Sequence, residues 1–138
     1  LATFDRILRA LTLAVGGLAA ISLAVAGILI MNVMLISVTQ RRREIGLLKA
    51  LGATGAQIRL SFMTEAVMLA LGGAAVGLAA GKFGQTMLGQ IYPAIPFTAP
   101  WWAVLAAPLT AIATSIVFSV VPARRAAMLD PVQALSKR

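Results

Sequence analysis

Long apolar stretches alternate with short polar ones along this chain, and the first of them covers residues 10–40. It contains no charged residue. As a helix rising about 1.5 Å per residue it would be roughly 46 Å long, against a bilayer hydrocarbon core of about 30 Å. We therefore predict a membrane span that also protrudes as a stalk. Residues 1–9 place apolar side chains at helical spacing, which predicts an amphipathic lead-in to that span.

The second span, residues 54–88, begins at a helix start signal. Thr54 and Gln57 have the spacing of a capping box, in which each side chain satisfies a free backbone amide. Gly52 suits the end of a preceding short helix. Residues 89–100 are predicted to form an outer loop, because their three prolines exclude a regular helix.

The third span, residues 101–121, is long enough to cross the membrane once, and we expect Pro122 to end it. In the tail, residues 122–138, Asp130 followed by Pro131 is a favourable start for a short helix. These elements predict an all-α integral membrane fold. It has three transmembrane helices and a short helix at residues 41–51 between the first two.

The basic residues predict the orientation of this fold. Of the 12 lysines and arginines, nine lie within residues 41–59, around the loop between the first two spans, or in the tail, and three lie on the opposite side. Lysine and arginine accumulate on the cytoplasmic side of membrane proteins. We therefore predict that the short helix and the C-terminus are cytoplasmic and that residues 1–9 are extracytoplasmic.

The composition argues against several classes of protein. The chain is 60% hydrophobic and 12% charged, whereas soluble domains carry about twice that charge. Its net charge of +8 comes from clusters that flank apolar runs, so we expect membrane lipids rather than nucleic acid as a partner. Because cysteine and histidine are absent, we predict no metal site and no catalytic residue. The glycines around Lys82 do not match a phosphate-binding loop.

Small residues recur at every fourth position in the second and third spans. Such stripes let membrane helices approach closely. They serve either the packing of one bundle or an interface between subunits, and the sequence leaves both open. The candidate interface residues are Gly73, Gly77, Gly81, Ala103, Ala107 and Ala111.

Glu65 is the carboxylate that lies inside a predicted span. An ionised group in a membrane is costly, so it either has a function or pairs with another charge. A proton carrier would be expected to have a relay, and the chain has no histidine to supply one. We expect a structural role instead, with an arginine or lysine of the basic loop folding back against Glu65.

The segment at residues 41–51 is basic and helix-forming, although a few turn residues suffice to connect two membrane helices. Ile45, Leu48 and Leu51 form an apolar stripe along it. One interpretation is an interfacial helix with its basic face toward anionic lipid headgroups. The other is a helix that docks onto a cytoplasmic protein.

Several stretches resemble the FtsX-like ABC transporter permeases, and most of all their MacB-type and lipoprotein-release branch. The resemblance covers nearly the whole chain in the right order. It rests on Asn-Val-Met-Leu-Ile-Ser-Val-Thr at residues 32–39, Arg-Arg-Glu-Ile-Gly-Leu-Leu-Lys-Ala-Leu-Gly-Ala at residues 42–53, Glu65 with Gly72, Gly73 and Gly77, and the endings at residues 121–127 and 129–135.

The resemblance implies four spans, with a large extracytoplasmic domain between the first and second. This chain would hold the last three. It starts at Leu1 without a leader pattern, so we expect a piece of a larger membrane protein. The resemblance also implies a homodimer or heterodimer in the bacterial cytoplasmic (inner) membrane, bound to an ABC ATPase subunit or fused domain, with a periplasmic adaptor as a further candidate partner. This chain would hold no cofactor, and ATP and Mg²⁺ would bind to the ATPase.

By the same resemblance, residues 41–51 would be a coupling helix that touches the ATPase. The implied mechanism is mechanotransmission, in which motion of this helix drives efflux or the extrusion of a lipoprotein, peptide or lipid. Charge reversal at Arg43 and Lys49 is expected to uncouple ATP turnover from that work. The implied contact residues are Arg42, Arg43, Glu44, Ile45, Gly46, Leu48 and Lys49.

Two alternative functions remain open on the sequence. An FtsX-like regulator would drive an external cell-wall hydrolase without transport, and it would share every feature described so far. A non-ABC membrane scaffold would use the basic loop to bind lipid, and it would copurify with no ATPase.

Overall fold

The structure is a computed structural model that describes residues 2–136. Within this range the chain forms helices and no strand, and three of the helices are long and apolar enough to cross a membrane. The predicted all-α membrane fold is confirmed. Leu1, Lys137 and Arg138, which belong to the predicted lead-in and tail, lie outside the described residues. The helices are α1 (Ala2–Gln40), α2 (Arg42–Ala50), α3 (Gly55–Ile91), α4 (Trp101–Ala127) and α5 (Pro131–Ser136).

Helix α1 is a continuous element of 39 residues, roughly 58 Å long at 1.5 Å per residue. The predicted lead-in is therefore continuous with the helix of the first span. Residues 2–26 are all exposed, so this part of α1 buries no side chain within the described chain. At Gly27 the helix comes close to α4: a Cβ there would lie 2.3 Å from the ring of Phe118. That distance is shorter than any real contact, so glycine permits this close approach.

Local signals separate α2 from α3. Gly52 has a φ of +102° and lies just beyond the end of α2, in a conformation that favours glycine. The N–H of Gln57 donates to the Thr54 hydroxyl at 3.3 Å, and the N–H of Thr54 donates to the Gln57 side chain at 2.9 Å. The predicted capping box is confirmed, and it determines where α3 begins.

Helix α4 passes through Pro122 and ends at Ala127, so the prediction that Pro122 ends the third helix is wrong. Proline at this position removes one hydrogen bond to the carbonyl of Phe118. Tertiary packing outweighs that loss, because Pro122 is fully buried and both Ala123 and Ala126 are 0% exposed. The segment after the proline stays helical because one face of it, with Ala123 and Ala126, packs in the protein interior.

Helix α4 lies at the centre of the bundle. It packs along α3 and along the last part of α1, whereas α1 and α3 make few contacts with each other. Helix α2 packs mainly against α5. The buried hydrophobic side chains gather at one end of the bundle, where α1, α2, α3 and α4 meet. They are Met34, Val38, Ile45, Ile58, Phe62, Ala66, Ala123 and Ala126.

The opposite end of the bundle carries an irregular segment, residues 92–100, between α3 and α4. It contains the three prolines that predicted it, and α3 extends to Ile91, slightly beyond the predicted residue 88. The side chain of Gln85 donates a hydrogen bond to the carbonyl of Phe97. This contact holds the segment against α3.

Candidate functional site

Helix α2 has one face exposed to the surroundings and one face packed on the chain. Arg42, Arg43 and Glu44 are exposed, and Leu47 and Leu48 are 54% and 50% exposed. We call Arg43, Glu44, Leu47 and Leu48 the outer face of α2. Arg42 is also exposed, but it borders clefts on the side of α2 that faces α1, α4 and α5. Exposed leucines beside Arg43 give the outer face a mixed apolar and basic character, which suits either a protein-docking surface or a membrane interface.

The inner face of α2 is buried. Ile45 is 2% exposed and belongs to the hydrophobic core. Gly46 faces α5, where a Cβ would lie 2.7 Å from the Cβ of Ala134. Such a distance would force one helix to shift, so glycine at this position permits the contact between α2 and α5.

The start of α5 is set by a local cap. The N–H of Val132 donates to Asp130 Oδ1 at 3.0 Å, and Pro131 occupies the first helical position. The predicted start of this helix is confirmed. Because a helix of six residues is unstable alone, its packing against α2 is what keeps it in place.

Lys49 connects α2 to the end of α4. Its Nζ donates to the carbonyl of Ala127 and, at 2.7 Å, to the carbonyl of Leu129. Carbonyls at a helix C-terminus lack partners within the helix and carry partial negative charge. The partly buried ammonium satisfies them and holds α2 against α4.

Ile45, Gly46 and Lys49 face the chain itself, and their predicted contact with an ATPase stays a prediction. Ile45 packs in the hydrophobic core, Gly46 packs on α5, and Lys49 donates to carbonyls at the end of α4 and just beyond it. Ile45 and Gly46 are buried among residues 2–136. Their place in the structure is to position α2, while Arg43, Glu44 and Leu48 lie on its outer face.

Leu47 is a residue of the outer face that the sequence reasoning missed. The predicted apolar stripe assigned Ile45 and Leu48 to one side of the helix. In the structure Ile45 points inward, and Leu48 shares the exposed surface with Leu47. The missing signal was the position of α5, which decides which side of α2 is covered.

Arg41 was also overlooked, and it organises the corner between α1, α2 and α3. Its Nε donates to Glu44 Oε2 at 2.8 Å, and its Nη1 lies 3.5 Å from Glu65 Oε2. Its guanidinium lies 5.7 Å from the ring centroid of Phe62. The hydrogen bond to Glu44 raises the pKa of Arg41 above its ordinary value, so the group stays charged.

Glu65 therefore has a partner from the basic loop, which is the structural role expected for it. The side chains of Arg41 and Glu65 are 48% and 44% exposed, so solvent screens the pair and limits it to at most about 1 kcal/mol. A sequence signal for Arg41 did exist, because Glu44 follows it at the i+3 spacing of a helical ion pair.

The alanine stripe of α4 takes part in packing within the bundle. Ala103, Ala107 and Ala111 are partly buried, and α4 packs along α3. Helix α3 in turn buries Ala66 and Ala70. Small residues at these positions let the two helices lie close together.

The glycine stripe of α3 has different surroundings. Gly73, Gly77 and Gly81 are exposed, and a Cβ at any of them would meet nothing within 4 Å. Packing between α3 and α4 therefore does not require glycine there. The role of this stripe as a subunit interface stays a prediction.

The family model described as FtsX-like permease C-terminal matches residues 16–131. The matched range contains α2, the end of α4 to which Lys49 binds, and the start of α5. The chain belongs to the FtsX-like permease family. It is a permease domain of the ABC transporter class and a membrane protein.

Several curated relatives of this FtsX-like permease are ABC transporter proteins. The uncharacterized ABC transporter permease YknZ of Bacillus subtilis is 40% identical over 97% of the chain. The pyoverdine export ATP-binding/permease protein PvdT of Pseudomonas savastanoi is 46% identical over 91% of it. The probable syringafactin export ATP-binding/permease protein SyfD of Pseudomonas syringae is 42% identical over 98%.

The chain spans only part of these relatives. It covers 34% of YknZ, 19% of PvdT and 20% of SyfD. The similarity therefore concerns the permease region that contains α1 to α5.

Proposed function

We propose that this FtsX-like permease couples ATP hydrolysis by a partner or fused ATPase to work on the other side of the membrane. The observation that carries the proposal is the division of α2 into an exposed outer face and a fixed inner face. A helix that is held on one side and accessible on the other can receive motion from a bound protein and pass it to the bundle.

The names of the relatives support an ATPase as the protein that binds α2. PvdT and SyfD are ATP-binding/permease proteins. In the proposed division of labour, the ATPase holds ATP and Mg²⁺ and carries out phosphoryl transfer. The permease contributes the docking surface and the moving helices.

The chemistry of the outer face suits an acidic groove with an apolar floor. Leu47 and Leu48 would bury their exposed side chains, and Arg43 would pair with a carboxylate at the rim. Arginine forms two parallel hydrogen bonds with a carboxylate, which fixes orientation as well as affinity. Docking of this kind would transmit motion of the ATPase toward the permease and away from it.

Motion of α2 would pass first to α5 and α4. Gly46 packs on α5, and Lys49 holds the carbonyl end of α4. From α4 the motion would reach α1 at the close contact between Gly27 and Phe118. The exposed part of α1, residues 2–26, would then carry it outward as the predicted stalk.

The proposed setting is the bacterial cytoplasmic (inner) membrane, with α2 and the C-terminus in the cytoplasm and residues 2–9 outside. The pyoverdine and syringafactin export relatives favour export as the work performed. The exposed length of α1 leaves room for a further helix from a second permease copy or from the rest of the protein. A periplasmic adaptor is a candidate partner beyond the membrane.

Cysteine cross-linking tests the docking surface directly, because the chain has no cysteine of its own. In the intact transporter, Leu47→Cys and Leu48→Cys should cross-link to the ATPase with a short reagent. Met128→Cys is the matched control, since Met128 is 82% exposed at the same end of the bundle but lies outside α2. Strong cross-linking from residue 128 with none from residues 47 and 48 would place the ATPase elsewhere.

A further inference from the structure

A second basic feature lies beside α2, between the ends of α1 and α4. A cleft of about 200 Å³ opens there, bordered by Arg42 of α2 and Arg125 of α4. Leu35 and Ile36 of α1 and Leu129 form its apolar wall. Both arginines and Ile36 are exposed, so the cleft is open to the surroundings.

The two guanidinium groups of the cleft have no acidic partner among residues 2–136. Both ion pairs found in that range belong to Arg41. Asp130 borders a neighbouring cleft that Arg42 also lines, but its Oδ1 accepts a hydrogen bond from Val132 and forms no ion pair with Arg42. Two arginines without an acidic partner in that range therefore border an apolar surface.

The position of the cleft along the helices places it at the membrane boundary. Leu35 and Ile36 belong to the last turns of the uncharged stretch at residues 10–40. Arg125 follows the apolar stretch of α4 within the helix itself. Arginines at such a boundary lie level with phospholipid headgroups, while the apolar wall faces the acyl chains.

We propose that this cleft binds the headgroup of an anionic phospholipid in the leaflet on the α2 side of the membrane. Arg42 and Arg125 pair with the phosphate through charge-assisted hydrogen bonds, and an acyl chain lies along Leu35 and Ile36. Basic pockets between membrane helices recognise anionic headgroups in this way. The bound lipid joins α1, α2 and α4, although α1 and α2 make few contacts of their own.

Native mass spectrometry of the chain in detergent, with added phosphatidylglycerol or phosphatidylcholine, tests the proposal. The native chain should retain one phosphatidylglycerol and release phosphatidylcholine. Arg42→Gln with Arg125→Gln should weaken phosphatidylglycerol binding roughly 10- to 30-fold, because two basic contacts are lost. The control Arg59→Gln with Arg124→Gln removes the same charge from exposed residues outside the cleft and should leave binding unchanged.

A second pair of variants keeps the test decisive if the double arginine variant fails to fold. Ile36→Trp fills the exposed side of the cleft without changing its charge and should lower lipid retention. Leu29→Trp places the same bulk about two turns away on the same side of α1 and should not.

Three results would overturn the lipid site. Equal weakening in both arginine pairs would indicate diffuse attraction of anionic lipid to a basic protein. Equal retention of the two lipids would show that binding does not depend on the charge of the headgroup. If Arg42→Gln with Arg125→Gln abolished ATPase binding while lipid binding stayed intact, the cleft would be a protein contact.

Discussion

Two glycines set how closely the helices of this protein approach one another. Gly46 lets α2 lie against Ala134 of α5, and Gly27 lets α1 lie against Phe118 of α4. Other glycines, such as Gly72, face open space, where an added Cβ would meet no atom within 4 Å. The same substitution is therefore expected to have opposite effects at different positions.

Gly46→Ala should loosen α5 from α2. The added methyl group would lie 2.7 Å from Ala134 Cβ, and overpacking of this kind costs about 1–3 kcal/mol, against a gain of about 1 kcal/mol in helix propensity. Hydrogen exchange of the amides of residues 132–136 should become faster. Gly72→Ala should show no such loss, and adding Ala134→Gly to Gly46→Ala should restore protection. Unchanged exchange in Gly46→Ala would show that α5 does not depend on this contact.

Residue-scale features were predictable from the sequence where the signal is local. Thr54 with Gln57, Gly52, and Asp130 with Pro131 each act within a few positions, so their spacing was sufficient. The inward positions of Ile45, Gly46 and Lys49 depend on α4 and α5, which are distant in sequence. No pattern within α2 contains that information.

At the scale of helices, α2 is attached to the bundle through partners that follow it by about 80 residues. Lys49 bonds to Ala127 and Leu129 at sequence separations of 78 and 80. Pro122 lies in the same region, and burial keeps α4 helical beyond it. The number and order of the three long helices followed from apolar length, whereas the end of α4 and the inner face of α2 followed from packing.

Lys49→Met should weaken the attachment of α2 to α4. Hydrogen bonds from a charged group contribute about 1.5–3 kcal/mol, so the free energy of unfolding should fall by an amount in that range. Reversible unfolding in mixtures of dodecyl sulfate and mild detergent measures it. Arg43→Met removes an equal charge from the outer face and should change stability by less than about 0.5 kcal/mol. Equal effects of the two variants would mean that Lys49 has no structural role.

At the scale of the whole molecule, the buried side chains lie at the end that carries α2, and α1 extends away from it. The junction of α1, α2, α3 and α4 is packed around residues such as Met34 and Phe62. Residues 2–26 of α1 stay exposed. A compact junction joined to a long projecting helix suits a device that receives motion at one end and delivers it at the other. This arrangement agrees with the proposed path from α2 through α4 to α1.

The central proposal is that the outer face of α2 binds the ATPase and receives its motion. The most direct test is permease-dependent stimulation of ATP hydrolysis in the reconstituted intact transporter. Arg43→Glu with Leu48→Asp should lower that stimulation at least about tenfold, because a charge contact and an apolar anchor are lost together. Arg124→Glu with Met128→Asp makes the same changes on exposed residues outside α2 and should leave stimulation near its native level. Native stimulation in the α2 variant, or an equal loss in both, would contradict the claim.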